Sequence, residues 1–462
     1  MEYLKGKALE KHNAPPVQGG VVNLASKNWK ELPEMKPYSA MSRDELSAER
    51  EALTSAFEAH KTKKLSLNMT RGKPDKEQLD LSTPMLDVLS SSSDINAEGN
   101  VDCRNYGELT GIMDAKRLFA EYLEVSPEEV IVAGSSSLTF MYDCIARAML
   151  TGVLGSDRPW VKEEKVKFLC PVPGYDRHFS ICQFLGIEMI NIPTSEKGPD
   201  MDMIEKLTAA DPLIKGMWCV PKFSNPLGIT YSDEIIRRMA ALKPAAKDFR
   251  IFCDNAYAMH LVYRDAPLLN PLAACKEAGN PNLIYLFGST NKITFPGAGV
   301  AFFATGKENI AFTEKQLSMQ AIGWDKLNML RHVRFLKNAN GIREQMQKHA
   351  KILRPKFDAV IKKLDAELSG RGAGEWVKPD GGYFITFIAE SGCAKRIIAL
   401  CKEVGVTMTN AGATHPYGND PDDRYIRIAP SFPPLPELEK AMDVFCTAAK
   451  LATVERQIAC NG

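Results

Sequence analysis

The chain has 462 residues and a formal net charge of +1 at pH 7, too long for a single small module and too evenly charged to point to nucleic acid or an anionic membrane as a partner. Its 11 cysteines are scattered, with no Cys-x-x-Cys pair and no His/Cys spacing suited to zinc, so they read as free thiols in a reducing cytoplasm and no metal is expected. The start of the chain lacks an apolar signal core, and no run approaches the roughly 18 apolar residues of a membrane span, so a soluble, cytoplasmic protein is expected.

Residues 1–41 are rich in Pro, Gly and Asn with little periodicity and read as an extended N-terminal arm. The Ser42-Arg43-Asp44-Glu45 pattern reads as a capping box opening a helix that carries Leu46, Leu53 and Phe57 at helical spacing toward Lys61. A short strand at 65–69 then runs into a turn, Thr70 to Pro74, that carries the cations Arg71 and Lys73. Tyr106, Gly107 and Gly111 precede a helix over 113–123. The run Val130-Ile131-Val132 predicts a strand, followed by Gly134, Ser135, Ser136 and Ser137 and a helix to about residue 149. Strand, Gly/Ser turn and helix together suit a phosphate, because first-turn N–H groups and the helix dipole face the anion.

From Lys167 the pattern repeats as strand, turn and helix, predicting an α/β domain with a mostly parallel sheet. Strands are placed at 167–172, 188–192, 216–220, 250–253, 283–287 and 300–304. Polar motifs follow several of their C-terminal ends: Pro173-Gly174-Tyr175, Ser224-Asn225-Pro226-Leu227-Gly228, Asp254-Asn255-Ala256-Tyr257 and Ser289 to Lys292. In an open parallel sheet ligands bind at that edge, so these motifs are expected to form one site. A long helical stretch over 314–368, interrupted near Gly323 and Pro355, leads to strands at 381–385 and 425–429 and a closing helix at 436–451. The expected division is an arm (1–41), the N-terminal part of a small domain (42–80), a large domain (81–334) and a C-terminal small α+β domain (335–462).

Lys292, between two apolar runs, needs a chemical reason, since burying an ammonium is costly unless it is paired or loses its charge. A Schiff base to pyridoxal phosphate supplies one, and each helper that this cofactor needs has a candidate here. Asp254 suits the ring nitrogen, Asn225 and Tyr257 the phenolate oxygen, Tyr175 the ring face, and Ser135, Ser136, Ser137 and Ser289 the phosphate. Arg427, between apolar neighbours on a strand, suits a substrate carboxylate, because its planar fork binds both oxygens.

The ordered set Asn225-Pro226-x-Gly228, Asp254-x-x-Tyr257, Ser289-x-x-Lys292 and Arg427 closely resembles the fold-type I pyridoxal-phosphate aminotransferases of class I/II, over roughly residues 65–450. The stretches Leu67 to Pro74, Cys170 to His178 and Lys292 to Gly299 are more narrowly similar to a bacterial subgroup of aspartate aminotransferases related to the MocR-like domain. The resemblance implies the pyridoxal-phosphate-dependent transferase fold and ping-pong transamination between an amino acid and a 2-oxo acid, with aspartate and 2-oxoglutarate the first-choice pair. It also implies that Lys292 is the Schiff-base lysine and proton carrier, with Asp254 and Tyr257 as its catalytic helpers. Gly72 and Arg71 fall at the substrate-facing turn. Tyr106 matches a tyrosine that reaches the cofactor phosphate of a neighbouring subunit, which implies a homodimer. Many relatives carry an arginine eight residues after the lysine, where this chain has Val300, and a small residue where it has Asn291. Aminotransferases for aromatic or aliphatic amino acids and a lyase on the same fold are the nearest alternatives; an effector domain of a transcription regulator is more remote, since residues 1–64 hold no helix-turn-helix pattern.

Overall fold

The computed structural model describes residues 35–460; most of the N-terminal arm lies outside them. Eight strands form the central sheet: β1 (Val130–Val132), β2 (Lys167–Val172), β3 (Glu188–Ser195), β4 (Gly198–Pro199), β5 (Ile214–Cys219), β6 (Arg250–Asp254), β7 (Ile284–Ser289) and β8 (Ala301–Ala304). Their spatial order is β1-β8-β7-β6-β5-β2-β3-β4. The pairs from β7 through β6, β5 and β2 to β3 are parallel, whereas β8 is antiparallel to both β7 and β1, and β4 to β3. Six strands therefore share one direction, as the repeated pattern implied. Strands β5, β6, β7 and β8 are buried along their whole length, which is why they read as unbroken apolar runs rather than alternating ones.

A row of aromatic rings crosses one face of this sheet from strand to strand. Phe168 and Trp218 lie 6.0 Å apart, Trp218 and Phe252 5.3 Å, Phe252 and Phe287 6.1 Å, and Phe287 and Phe303 5.1 Å between ring centroids. Spacings in this range are favourable for aromatic pairs and tie five neighbouring strands together.

The second lobe is built around an antiparallel sheet of β9 (Gly374–Trp376), β10 (Ile385–Ala389) and β11 (Tyr425–Ile428) in that order. Its core joins Leu46, Leu53 and Phe57 of the helix Arg43–Lys61 to the helices Ala339–Leu368 and Leu435–Cys460. The expected capping box is present: the Glu45 backbone N–H donates to Ser42 Oγ and the Ser42 N–H to Glu45.

Two expectations are corrected. Pro355 does not break its helix, which runs unbroken for 30 residues; Pro355 and Lys351 are both exposed, so the carbonyl that loses its partner faces water. The strand expected at 381–385 begins only at Ile385. Gly381 and Gly382 instead abut Phe223, where a side chain on Gly381 would come within 2.6 Å of the ring, and Gly382 has φ +84°, outside strand geometry.

Candidate functional site

The carboxyl ends of β1, β2, β5, β6 and β7 open onto one edge of the large sheet, and the turns that follow them carry the expected residues. Lys292 lies on the connection between β7 and β8. Its Nζ sits 5.0 Å from the centre of the Tyr257 ring, and among the described residues no carboxylate lies within ion-pair distance of it. Removal from water lowers its pKa, while the charge of Asp254 works against that shift.

Asp254 ends β6 and is almost wholly buried. His178 Nε2–H donates to its Oδ2 at 3.1 Å and the Ala256 N–H to its Oδ1 at 3.2 Å. The His178 ring is itself stacked flat on Trp218, 4.1 Å between centroids and 4° between planes, and meets the Tyr175 ring edge-on at 4.9 Å. The aromatic row of the sheet thus fixes the histidine, and the histidine fixes the carboxylate. Tyr257 is buried; burial pushes its phenol well above the usual range, nearby Tyr175 and Asp254 add to this, and Arg427 opposes it. The Tyr175 phenol is pushed up to about 12 by burial, with Asp254 and Asp176 adding.

Arg427 reaches the same place from β11 of the small lobe and is only 7% exposed. Its Nη1 donates to Asp176 Oδ1 at 2.9 Å and to Asn225 Oδ1 at 3.2 Å, both in the large lobe. Because the Asn225 oxygen is taken up by the arginine, its amide nitrogen is left as a donor. The guanidinium rests 4.8 Å from the centre of the Phe384 ring, and the tip of that ring abuts Gly72, where an added Cβ would lie within 2.6 Å of Phe384 Cε1. A further tie between the lobes is the Thr386 hydroxyl, which donates to the Pro226 carbonyl at 2.7 Å.

At the opposite end of the site, the helix Ser137–Thr151 points its N-terminus at the edge of the sheet. Its N-cap Ser136 makes no side-chain cap bond, which leaves first-turn N–H groups for an outside acceptor. The Ser289 hydroxyl lies 3.5 Å from that of Ser137, and Ser135 is exposed beside them. Val300 is buried, with its N–H bonded to Thr290 Oγ1, so it offers nothing to an anion. Of the two cations on the 70–74 turn, Lys73 lies over the Phe432 ring at 4.0 Å, while Arg71 is exposed. Tyr106 is 80% exposed. Its neighbour Gly107 abuts Gly323, on a segment that carries the exposed Met319 and Ile322 and is held by Trp324, whose Nε1 donates to the Leu109 carbonyl at 2.8 Å.

Sequence reasoning placed no role on His178, Trp218, Asp176 or Phe384, though His178 and Asp176 stood inside a motif it singled out. Their roles are three-dimensional, since the partners lie 76, 251 and 202 residues apart for the His178–Asp254, Asp176–Arg427 and Asn225–Arg427 bonds.

These residues fit pyridoxal phosphate. Buried polar atoms without partners among the described residues include Arg427 Nε and, on the neighbours of Asn225 and Asp254, Ser224 Oγ and Asn255 Oδ1, and a carboxylate, a lysine, an amide donor and an anion-ready helix terminus are supplied at separate places.

A family model described as "Aspartate amino-transferase" matches residues 41–461. An aspartate aminotransferase of Corynebacterium glutamicum is 44% identical over 423 residues, 90% of this chain and 98% of its own. The crystal structure of an aspartate transaminase from the same species superposes with a TM-score of 0.89 at 42% identity, covering 91% of this chain and 99% of that one. The α-aminoadipate aminotransferase LysN of Thermus thermophilus, solved with N-(5'-phosphopyridoxyl)-L-leucine, shares the fold at a TM-score of 0.68 and 20% identity, covering 85% of this chain and 93% of its own.

Proposed function

Because the chain belongs to the aspartate aminotransferase family, whose members work with pyridoxal phosphate, we propose that Lys292 is the lysine that bonds the cofactor and that the preferred pair is L-aspartate and 2-oxoglutarate. The single observation that carries the site assignment is Lys292: a half-buried amine with lowered pKa, free of any ion pair among the described residues, at the same sheet edge as Asp254. The kinship with an aspartate aminotransferase at 44% identity supports the substrate pair.

When bound, pyridoxal phosphate acts as an electron sink for the bond that breaks at the substrate's α-carbon. The chain's own residues divide the remaining work. Asp254, kept in place by His178, would meet the ring nitrogen with its carboxylate. Asn225 and Tyr257 would offer donors to the ring oxygen, and Tyr175 would pack on the ring. Ser135, Ser136, Ser137 and Ser289, with the helix terminus, would hold the phosphate, since Val300 stands where many relatives have an arginine. Arg427 takes the α-carboxylate on its unpartnered Nε edge while Asp176 and Asn225 hold Nη1. Lys292, whose neutral amine fraction is raised by burial, would take the proton from the substrate's α-carbon as a general base and give it back as a general acid. With Lys73 committed to Phe432, Arg71 is the cation left for a distal carboxylate. The protein acts as a cytoplasmic homodimer, in which Tyr106 and its exposed apolar neighbours meet the partner.

The test is the visible absorption of the purified protein with pyridoxal phosphate, followed on adding L-aspartate alone with oxaloacetate assayed in the same cuvette. Loss of the band as oxaloacetate appears is expected, with Lys292→Ala showing neither. Turnover in Lys292→Ala at the wild-type rate would refute the assignment.

A further inference from the structure

The turn that carries Lys292 is bonded to side chains from two helices. Helix Lys326–Leu336 supplies Asn328 and His332; helix Ala339–Leu368 supplies His349. Both histidines are wholly buried, and every nitrogen of both rings is used.

His332 Nδ1–H donates to the Asn328 carbonyl at 2.8 Å. That leaves Nε2 as an acceptor, and it lies 3.0 Å from the Thr290 hydroxyl and 2.9 Å from the Thr294 hydroxyl. The Thr290 oxygen also accepts from the Val300 N–H at 2.9 Å, and the Thr294 hydroxyl lies 3.2 Å from the Thr290 carbonyl. With Thr290 donating to the ring and Thr294 to that carbonyl, every group is satisfied. The imidazole therefore holds Thr290, two residues before Lys292, and the Thr290 carbonyl in turn holds the hydroxyl of Thr294, two residues after it. The Asn328 amide adds bonds at 3.1 Å to the carbonyls of Ala298 and Gly299, farther along the same connection.

His349 holds the opposite tautomer. Its Nε2–H donates to the Ile293 carbonyl at 3.0 Å, and its Nδ1 accepts from Gln78 Nε2 at 3.1 Å. Gln78 also donates to the Tyr383 hydroxyl at 3.1 Å. The residue next to Lys292 is thus bonded to a network that spans both lobes. A turn of hydroxyls and carbonyls pinned on either side of one lysine leaves that residue's backbone little freedom, so the point from which its side chain sets out is fixed by these bonds.

We propose that His332 and His349 are positioning residues for Lys292, clamping the 290–294 turn from two helices so that the amine is aimed at the cofactor. This rests on Lys292 being the cofactor lysine.

The test compares His332→Leu, which removes the acceptor, with His332→Gln, whose Oε1 can still accept from Thr290, and treats His349→Leu and His349→Gln alike. Three quantities are read: the pH midpoint of the visible band of bound pyridoxal phosphate, kcat and KM separately, and the melting temperature of the cofactor-free protein. A misaimed lysine is expected to move the band's midpoint by at least about 0.5 pH unit and to lower kcat about tenfold or more, with KM within about threefold. The Gln variants should recover most of both. A drop in melting temperature with the midpoint and kcat unchanged would overturn the proposal, as would Leu and Gln variants that behave alike. If His332→Leu fails to fold, Thr290→Val removes its bond from the other end, and if His349→Leu fails, Gln78→Leu removes the donor that sets its ring; the same shifts are expected from each, and their absence overturns the clamp. Failure of the underlying assignment looks different: wild type then lacks the band, or Lys292→Ala keeps it.

Discussion

Gly72→Ala tests how the small lobe holds Arg427, the arginine proposed for the substrate carboxylate. The added Cβ would stand within 2.6 Å of Phe384 Cε1 and closer still to its tip, whereas carbon atoms in contact lie about 3.5–4.0 Å apart, so ring or turn must give by roughly 1 Å. Phe384 is the tip of a movable side chain, but it is buried and one face carries the Arg427 guanidinium at 4.8 Å. Arg427 in turn is tied to Asp176 and Asn225, so the displacement is passed to the arginine. Overpacking of this kind costs about 1–3 kcal/mol. If about 1.4 kcal/mol of it is felt as weakened carboxylate binding, affinity falls about tenfold. The assay is the dissociation constant of a nonreactive dicarboxylate competing with aspartate, alongside KM for donor and acceptor. The visible band should be unaffected. Constants within twofold of wild type would refute the Gly72–Phe384–Arg427 chain of contacts.

Arg427→Lys keeps the charge but loses the planar fork, and with charge-assisted bonds worth about 1.5–3 kcal/mol each, kcat/KM for aspartate should fall at least about tenfold in steady-state kinetics. Asp254→Ala should still bind pyridoxal phosphate, seen by its absorbance, yet lose most turnover; an unimpaired rate would contradict its role at the ring. For stability, His332 is held down to about 4 from 6.5 by burial, with Arg331 adding to the effect and the bond to Asn328 and Asp325 opposing it. Between those two values the unfolded chain binds more protons, so stability rises with pH there and is lost as pH falls below 6.5. At pH 5 the loss from this one group is about 2 kcal/mol. His349, also lowered by burial, adds in the same direction. Melting curves at pH 7 and pH 5 should show the difference, and His332→Gln should reduce it.

Much of the fold was legible because its signals are local. Ser42 with Glu45 marks a helix start within four residues, and buried parallel strands such as Ile214–Cys219 announce themselves as apolar runs. The candidate site residues drew attention for a related reason: Tyr175, Asn225, Asp254, Tyr257 and Ser289 to Lys292 lie at or shortly after strand ends of the large sheet, where an open sheet exposes its ligands, whereas Arg427 stands within β11. What escaped depends on distant partners. His178 matters because Trp218 stacks on it and Asp254 accepts from it, and Asp176 because Arg427 arrives from the other lobe. His332 and His349 lie on helices whose periodicity explains them as core, and nothing local links them to a threonine or a carbonyl 38 to 56 residues earlier. Pro355 misled because a proline removes only one bond of the helix ladder, and a 30-residue helix whose buried face packs on the core tolerates that loss on its exposed side.

The placement of Lys292 and Arg427 on different lobes has an evolutionary consequence. The lysine turn is anchored at both ends in the large sheet, on β7 and β8, whereas the arginine belongs to β11 and answers to Phe384 and Gly72. Substitutions at Gly72 or Phe384 can therefore alter, along a lineage, how the arginine is held without passing through the strands that anchor the lysine turn.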